Sequence, residues 1–240
     1  MHAGLVLRSG HIARLDNECE VLVARTPELL RECFRLRHQV YCLEKHYETV
    51  HGDQESDEFD GRARHILLIH RASGQSVGTV RIIPASPRTG LEGLPMHRVC
   101  APALLEDLPT WSTGEISRFA VSKQRRLSCG AGTMIRLGLI QGLFRLSGEM
   151  GLTHWSAIME PILLRLLRTD GIHFDPLGPL VDYHGPRQPS ACDIGATLER
   201  MREEHWDVWN YVTLGGTLWR EPLWHGGRER VYPLALELAA

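Results

Sequence analysis

Three arginines and a run of carboxylates are the residues of this chain best equipped for chemistry. Arg81 lies in Val77 to Ile83 (VGTVRII) and Arg118 in Gly114 to Val121 (GEISRFAV), segments of otherwise largely apolar character. A guanidinium buried there without a partner would be expensive, so each needs a carboxylate. The acidic stretch Asp53 to Asp60 is the obvious supplier, through Asp57 and Asp60, with Arg37 as a further cation and Glu115 as a further anion. The expectation is a network that pins the acidic loop and the first helix over the mouth of a cleft. For Arg37, Asp57 and Asp60 a purely architectural role stands beside the functional one, because ion-pair networks also form without catalysing anything.

Several other chemistries are excluded. The alternation of Asp53, Glu55 and Asp57 invites a calcium loop, but Glu58 stands where the turn needs glycine and Arg64 where the bidentate Glu should be. Six cysteines (Cys19, Cys33, Cys42, Cys100, Cys129, Cys192) show no C-x-x-C pair, which argues against zinc and against a secreted disulfide framework. Thirteen histidines show no H-E-x-x-H spacing, so no metal is expected. A net charge of −2 leaves no chain-wide field for nucleic acid, so any anion site is local. No stretch reaches the roughly 18 apolar residues of a membrane span, and Arg8 interrupts the apolar start Gly4 to Leu7, so a cytoplasmic protein is expected.

The turn Lys123 to Thr133 is such a local site. It carries Arg125, Arg126, Gly130 and Gly132 ahead of a helix, and the N–H groups of a helix start favour an anion such as a phosphate. A solvated basic turn is the alternative reading.

The elements that must position these residues follow from periodicity and punctuation. Glu20 to Ala24 reads as a strand, and Thr26-Pro27-Glu28 starts a helix that runs to Tyr41. His65 to His70 and Val77 to Ile83 form a hairpin about Ala72 to Gln75. Pro84 to Pro109 is an irregular excursion with room for one short helix. Then follow a strand over Gly114 to Val121, a helix from about Gly132 to Met150, a strand over Thr153 to Met159, and a helix over Glu160 to Arg168. Extended chain over Ile172 to Tyr183 and one amphipathic helix over Ala196 to Val212 complete the described order. This is α/β, with a strand-rich centre and no boundary that would split residues 1–240 into two domains.

Four short stretches, in order, resemble the signature of acyl-homoserine-lactone synthases: Arg37-His38-Gln39-Val40-Tyr41, Glu55 to Asp60, Gly78-Thr79-Val80-Arg81, and Glu115-Ile116-Ser117-Arg118-Phe119. A fifth, Asp182-Tyr183-His184-Gly185-Pro186-Arg187, together with the chain length, is more similar to the N-acyl amino acid synthases and exosortase-associated acyltransferases related to them.

The resemblance implies a GNAT-like fold, a central mixed twisted sheet flanked by helices, in which two parallel strands splay to admit a pantetheine arm. It implies transfer of a fatty acyl group from an acyl carrier protein thioester to the amine of an amino acid. Glu115 would be the base, Arg118 its holder or the seat of an acceptor carboxylate, and Phe119 to Val121 the source of an N–H for the thioester oxygen. Arg37, Asp57, Asp60 and Arg81 would frame the substrate, and Arg125, Arg126, Gly130 and Gly132 the phosphopantetheine and its carrier protein. Direct attack needs no nucleophilic serine or cysteine, consistent with the absence of a G-x-S-x-G elbow. No tightly bound cofactor is expected. The alternatives are an autoinducer synthase acting on S-adenosylmethionine and a non-catalytic acyl-chain binder.

Overall fold

The computed structural model describes residues 18–50, 52–125, 132–183 and 185–218. Among the described residues the strands are β1 (Cys19–Val23), β2 (Arg64–His70), β3 (Gln75–Pro84), β4 (Thr113–Val121), β5 (His154–Met159), β6 (Asp175–Pro176), β7 (Val181–Asp182) and β8 (Pro186–Asp193). The main sheet runs β1-β2-β3-β4-β5-β8-β6, with β7 paired to β8. Among the described residues only β4 and β5 pair in parallel within it.

The continuous apolar run of β2 is explained by burial on both faces. Ile66 and Leu68 meet helix α2 (Gly132–Met150), while Leu67 meets helix α1 (Pro27–Arg37) through Cys33 and Leu36. Two glycines let α2 come close. A Cβ on Gly138 would lie 2.9 Å from Leu68 Cδ1, and one on Gly142 would lie 2.6 Å from Ile66 Cγ2. The other side of α2 is covered by helix α5 (Trp206–Val212), and Gln141 Nε2 donates to the Tyr211 carbonyl at 2.9 Å. Burial on nearly every side accounts for the largely apolar sequence of α2.

Thr26 caps α1, its hydroxyl accepting from Leu29 N, with Pro27 at the first position. The helix does not continue as an α-helix to Tyr41: from His38 to Glu44 it widens into a π-helix, in which Lys45 N donates to the Val40 carbonyl. The C-terminal helix also differs from expectation. It breaks at His205 (φ −139°, ψ 53°) into α4 (Ile194–Glu204) and α5. Strand β8 was not foreseen at all. Pro186 and Pro189 within eight residues weaken a local strand signal, yet β8 pairs with β5 along Gln188 to Asp193. The segment after β3 forms three 3-10 turns, Leu91–Gly93, Pro95–Arg98 and Pro102–Leu104, rather than one helix. Helix α3 (Pro161–Thr169) follows β5. The five described cysteines are buried free thiols; Cys129 lies outside the described residues. Among the described residues no helix is long and apolar enough to cross a membrane.

Candidate active site

The site grows from a parting of two strands. β4 and β5 are paired from Thr113–His154 to Ile116–Ala157 and no further, while β4 continues beside β3 to Val121. Across that continuation Thr79 faces Ala120 and Arg81 faces Ser117, so Arg118 and Phe119 together oppose Val80. This is a β-bulge, which bends the strand and re-aims its side chains. Arg118 takes φ +52°, a left-handed conformation that costs a non-glycine residue about 1–3 kcal/mol. A cleft of about 530 Å³ opens where the strands part. Its lining includes Glu115 to Phe119 and Val121 of β4, Ile158 to Glu160 at the end of β5, Tyr41 and Tyr47, and Leu163 and Leu166 of α3.

The bulge is held by ion pairs. Arg81 is 1% exposed and binds Asp57 twice, NH1 to Oδ1 at 2.6 Å and NH2 to Oδ2 at 2.8 Å; NH1 also reaches Asp60 Oδ1 at 2.6 Å. Its Nε donates to Ser117 Oγ at 2.8 Å. Arg37, fully buried, donates to Glu55 at 2.5 Å and to Asp60 at 2.7 Å. Arg118 meets Glu55 at 3.0 Å, Asp57 at 3.1 Å and Glu48 at 3.8 Å. The acidic loop thus supplies all three principal anions. The third is Glu55, which sequence reasoning quoted but did not place; its cue is its position two residues before Asp57. Glu115 is not part of this set, and Arg118 does not hold it, because the Arg118 guanidinium is engaged with the acidic loop.

The network sets its own protonation. Burial alone would raise Asp60, but the hydrogen bond and charge of Arg37, then the charge of Arg81, outweigh it and bring the carboxyl down to about 2. His65, with Nε2 at 3.6 Å from Asp60, is instead pushed down to about 4 by burial and is neutral at pH 7.

Glu115 stands apart. It is 2% exposed and lines the cleft, and its Oε2 accepts the Met96 N–H at 2.8 Å. Burial drives its carboxyl up to about 8, against the Met96 hydrogen bond and the charges of Arg81, Arg62 and Arg118. The irregular segment before β4 therefore does one definite thing: its 3-10 turn at Pro95–Arg98 brings an amide to this carboxyl.

Across the cleft lies a second group. Glu160, between β5 and α3, accepts from Lys45 Nζ at 3.1 Å and from Tyr47 Oη at 3.4 Å, and pairs with Arg187 NH2 at 3.4 Å. Both cations also face the Tyr47 ring, Lys45 at 5.1 Å and Arg187 at 5.5 Å. Tyr183 and Arg187 of the fifth sequence stretch line this wall. Lys45, Tyr47 and Glu160 had no sequence motif to announce them.

Of the basic turn, Arg126 and Gly130 lie outside the described residues, and Gly132 begins α2. Arg125 is engaged elsewhere: its NH1 binds the Ser76 hydroxyl at 2.6 Å, the Ser76 carbonyl at 3.2 Å and Glu32 at 3.2 Å. Arg136 of α2 is likewise engaged, buried and bound to Asp170 at 2.6 and 2.9 Å.

This construction matches known proteins. Residues 36–135, less than half of the chain, match the acetyltransferase (GNAT) domain family, and the fold is similar to that of acyl-homoserine-lactone synthases. It is 28% identical over 153 residues to an isovaleryl-homoserine lactone synthase of Bradyrhizobium diazoefficiens, covering 63% of this chain and 66% of that protein, just under two thirds of its length. Among solved structures it is similar to BjaI, a CoA-dependent acyl-homoserine lactone synthase with SAM and isopentyl-CoA (TM-score 0.58, 22% identity, 82% of this chain and 99% of that one). It is also similar to FeeM, an N-acyl amino acid synthase from uncultured soil microbes (TM-score 0.57, 14% identity, 77% of this chain and 96% of that one). At these identities the two structural likenesses are likenesses of fold.

Proposed function

We propose that this chain moves a fatty acyl group from the phosphopantetheine thioester of an acyl carrier protein to the amine of an amino acid, giving an N-acyl amino acid. The observation that carries the reading is Glu115, a buried carboxyl raised to about 8 at the point where β4 and β5 part. A peptide's α-ammonium loses its proton near pH 8, and that of a free amino acid, with a carboxylate beside it, holds its proton more tightly. A carboxyl raised from 4.5 to about 8 stands much closer to that ammonium than an ordinary carboxylate does, so the proton transfer costs less. The neutral amine then attacks the thioester carbon. The C–N bond forms and the C–S bond breaks; the first proton, held by Glu115, passes to the departing thiolate, and the second proton of the acylated nitrogen leaves through the freed Glu115 carboxylate to water.

The negative oxygen of the tetrahedral intermediate needs a donor. Ser122 N donates to Val77 O at 3.2 Å, toward β3. Strand amides alternate in direction, so the Val121 N–H is aimed at the opposite side, into the gap with β5. Arg37, Arg81, Arg118, Asp57 and Asp60 act by holding the bulge and the Phe119 to Val121 edge in place. With Arg125 engaged with Glu32 and Ser76, the donor phosphate is left to Arg126, Gly130 and Gly132.

A second reading, acyl-homoserine-lactone synthesis on S-adenosylmethionine, is favoured by the sequence relative; a coenzyme A donor is favoured by the fold shared with BjaI. Mass spectrometry of lipid extracts from cells producing the protein separates these readings. N-acyl amino acids that vanish with Glu115→Gln support the first, a homoserine lactone the second, and neither product overturns both.

A further inference from the structure

Five cations line the cleft: Lys45, Arg81, Arg118, Arg136 and Arg187. Arg81 and Arg118 are answered by Glu55, Asp57 and Asp60, with Glu48 beside them. Arg136 is answered by Asp170 through two of its nitrogens. Lys45 and Arg187 share the single carboxylate of Glu160. Among the described residues this wall is therefore the part of the cleft with positive charge in excess. Glu115 and Asp57 of the acidic loop line the same cleft. Arg187 is shielded, its side chain 12% exposed, so an anion beside it is exchanged from water into a site where charge counts for more. An acceptor with an ammonium at one end and a carboxylate at the other matches this polarity.

Resting on the N-acyltransferase reading, we propose that Lys45 and Arg187 seat the carboxylate of the acceptor, so that the substrate class is free amino acids rather than simple amines. Glu160 holds the two cations together over Tyr47 and moderates their attraction for the ligand. The arrangement places the acceptor carboxylate at the Lys45–Arg187 wall and its nitrogen toward Glu115. Arg118, committed to Glu55 and Asp57, is not the carboxylate seat.

The test uses the product, so it does not depend on turnover. Binding of N-decanoylglycine and of its methyl ester to the whole protein is measured by calorimetry. The wild type is expected to prefer the acid by about tenfold or more, the size of one charge-assisted contact. Arg187→Gln and Lys45→Gln should each remove most of that preference while binding of the ester holds. Glu160→Gln, which leaves both cations unanswered, should strengthen acid binding several-fold; a merely structural Glu160 would weaken it. Equal binding of acid and ester by the wild type, no binding of either, or a preference that survives both cation variants overturns the proposal. If the preference behaves as expected but no N-acyl amino acid forms from any thioester donor, the carboxylate seat stands and the transferase reading falls.

Discussion

Arg81 and Asp57 meet side by side, two guanidinium nitrogens on two carboxylate oxygens at 2.6 and 2.8 Å, and so tie the acidic loop to the third strand of the sheet. The same loop carboxylate reaches Arg118 at 3.1 Å on the neighbouring strand. One loop residue thus spans the bulge that opens the cleft.

Removing Arg81 leaves Asp57 without its main counter-charge and Asp60 with Arg37 alone. Arg81→Ala is expected to destabilise the fold by roughly 3–5 kcal/mol, read from urea unfolding. A variant with a wild-type midpoint would mean that the pairs contribute nothing to stability.

Glu115→Gln should separate catalysis from stability. Gln retains an oxygen for the Met96 amide but cannot take a proton, so turnover should fall about 10²–10⁴-fold at neutral pH, and less at higher pH where the acceptor amine is already neutral. Stability should move the other way. The Glu115 carboxyl titrates near 8 when folded against about 4.5 as a free group, so the folded state binds the extra proton. Its favourable contribution is complete below about pH 4.5 and is lost as the pH rises through 8. The melting temperature of Glu115→Gln should therefore exceed that of the wild type by a margin that widens from pH 5 to pH 9. A margin independent of pH would contradict the buried-carboxyl account.

Asp60 has the opposite sign. Its carboxyl is held at about 2 against 3.8 for the free group, so its contribution is complete above about pH 4 and is lost as the pH falls through 2. The shift corresponds to about 2 kcal/mol. Asp60→Asn should be less stable at pH 7 yet lose less on acidification from pH 4 to pH 2, followed by circular dichroism. Parallel acid limbs for the two proteins would remove Asp60 from the linkage.

Arg125 is a test of what the basic turn does. Arg125→Glu would set a carboxylate against Glu32, so the expected result is a stability loss on the order of 1 kcal/mol or more, alongside any change in the Michaelis constant for acyl carrier protein. A stable variant with an impaired carrier-protein constant and a normal constant for a free thioester would return Arg125 to the docking surface.

Gly142→Ala sets two known magnitudes against each other. Alanine gains about 1 kcal/mol of helix propensity, but the new Cβ would lie 2.6 Å from Ile66 Cγ2, and overpacking costs about 1–3 kcal/mol. Packing should win or break even, giving a variant no more stable than wild type. A clear gain in melting temperature would show that α2 can shift away from β2.

The sequence by itself determined the local matters: the capped start at Thr26-Pro27, the hairpin around Ala72 to Gln75, the long apolar helix after Gly132, and the need of Arg81 and Arg118 for carboxylates. Each follows from propensity, periodicity or the cost of a buried charge, which neighbours in the chain largely set. Which carboxylate goes to which arginine was decided only by the tertiary structure. Glu55 replaced Glu115 in the network because the bulge at Arg118 turns that side chain toward the acidic loop, leaving Glu115 to the amide of Met96, nineteen residues earlier. Strand β8 was hidden for a related reason: its two prolines spoil a local strand signal, and its pairing depends on edges offered by β5 and β6. Of the wall of Lys45, Tyr47, Glu160 and Arg187 only Arg187 lay in a quoted stretch, because its members are drawn from three distant segments and become one surface only when β5 and β8 pair and the chain after the π-helix reaches Glu160.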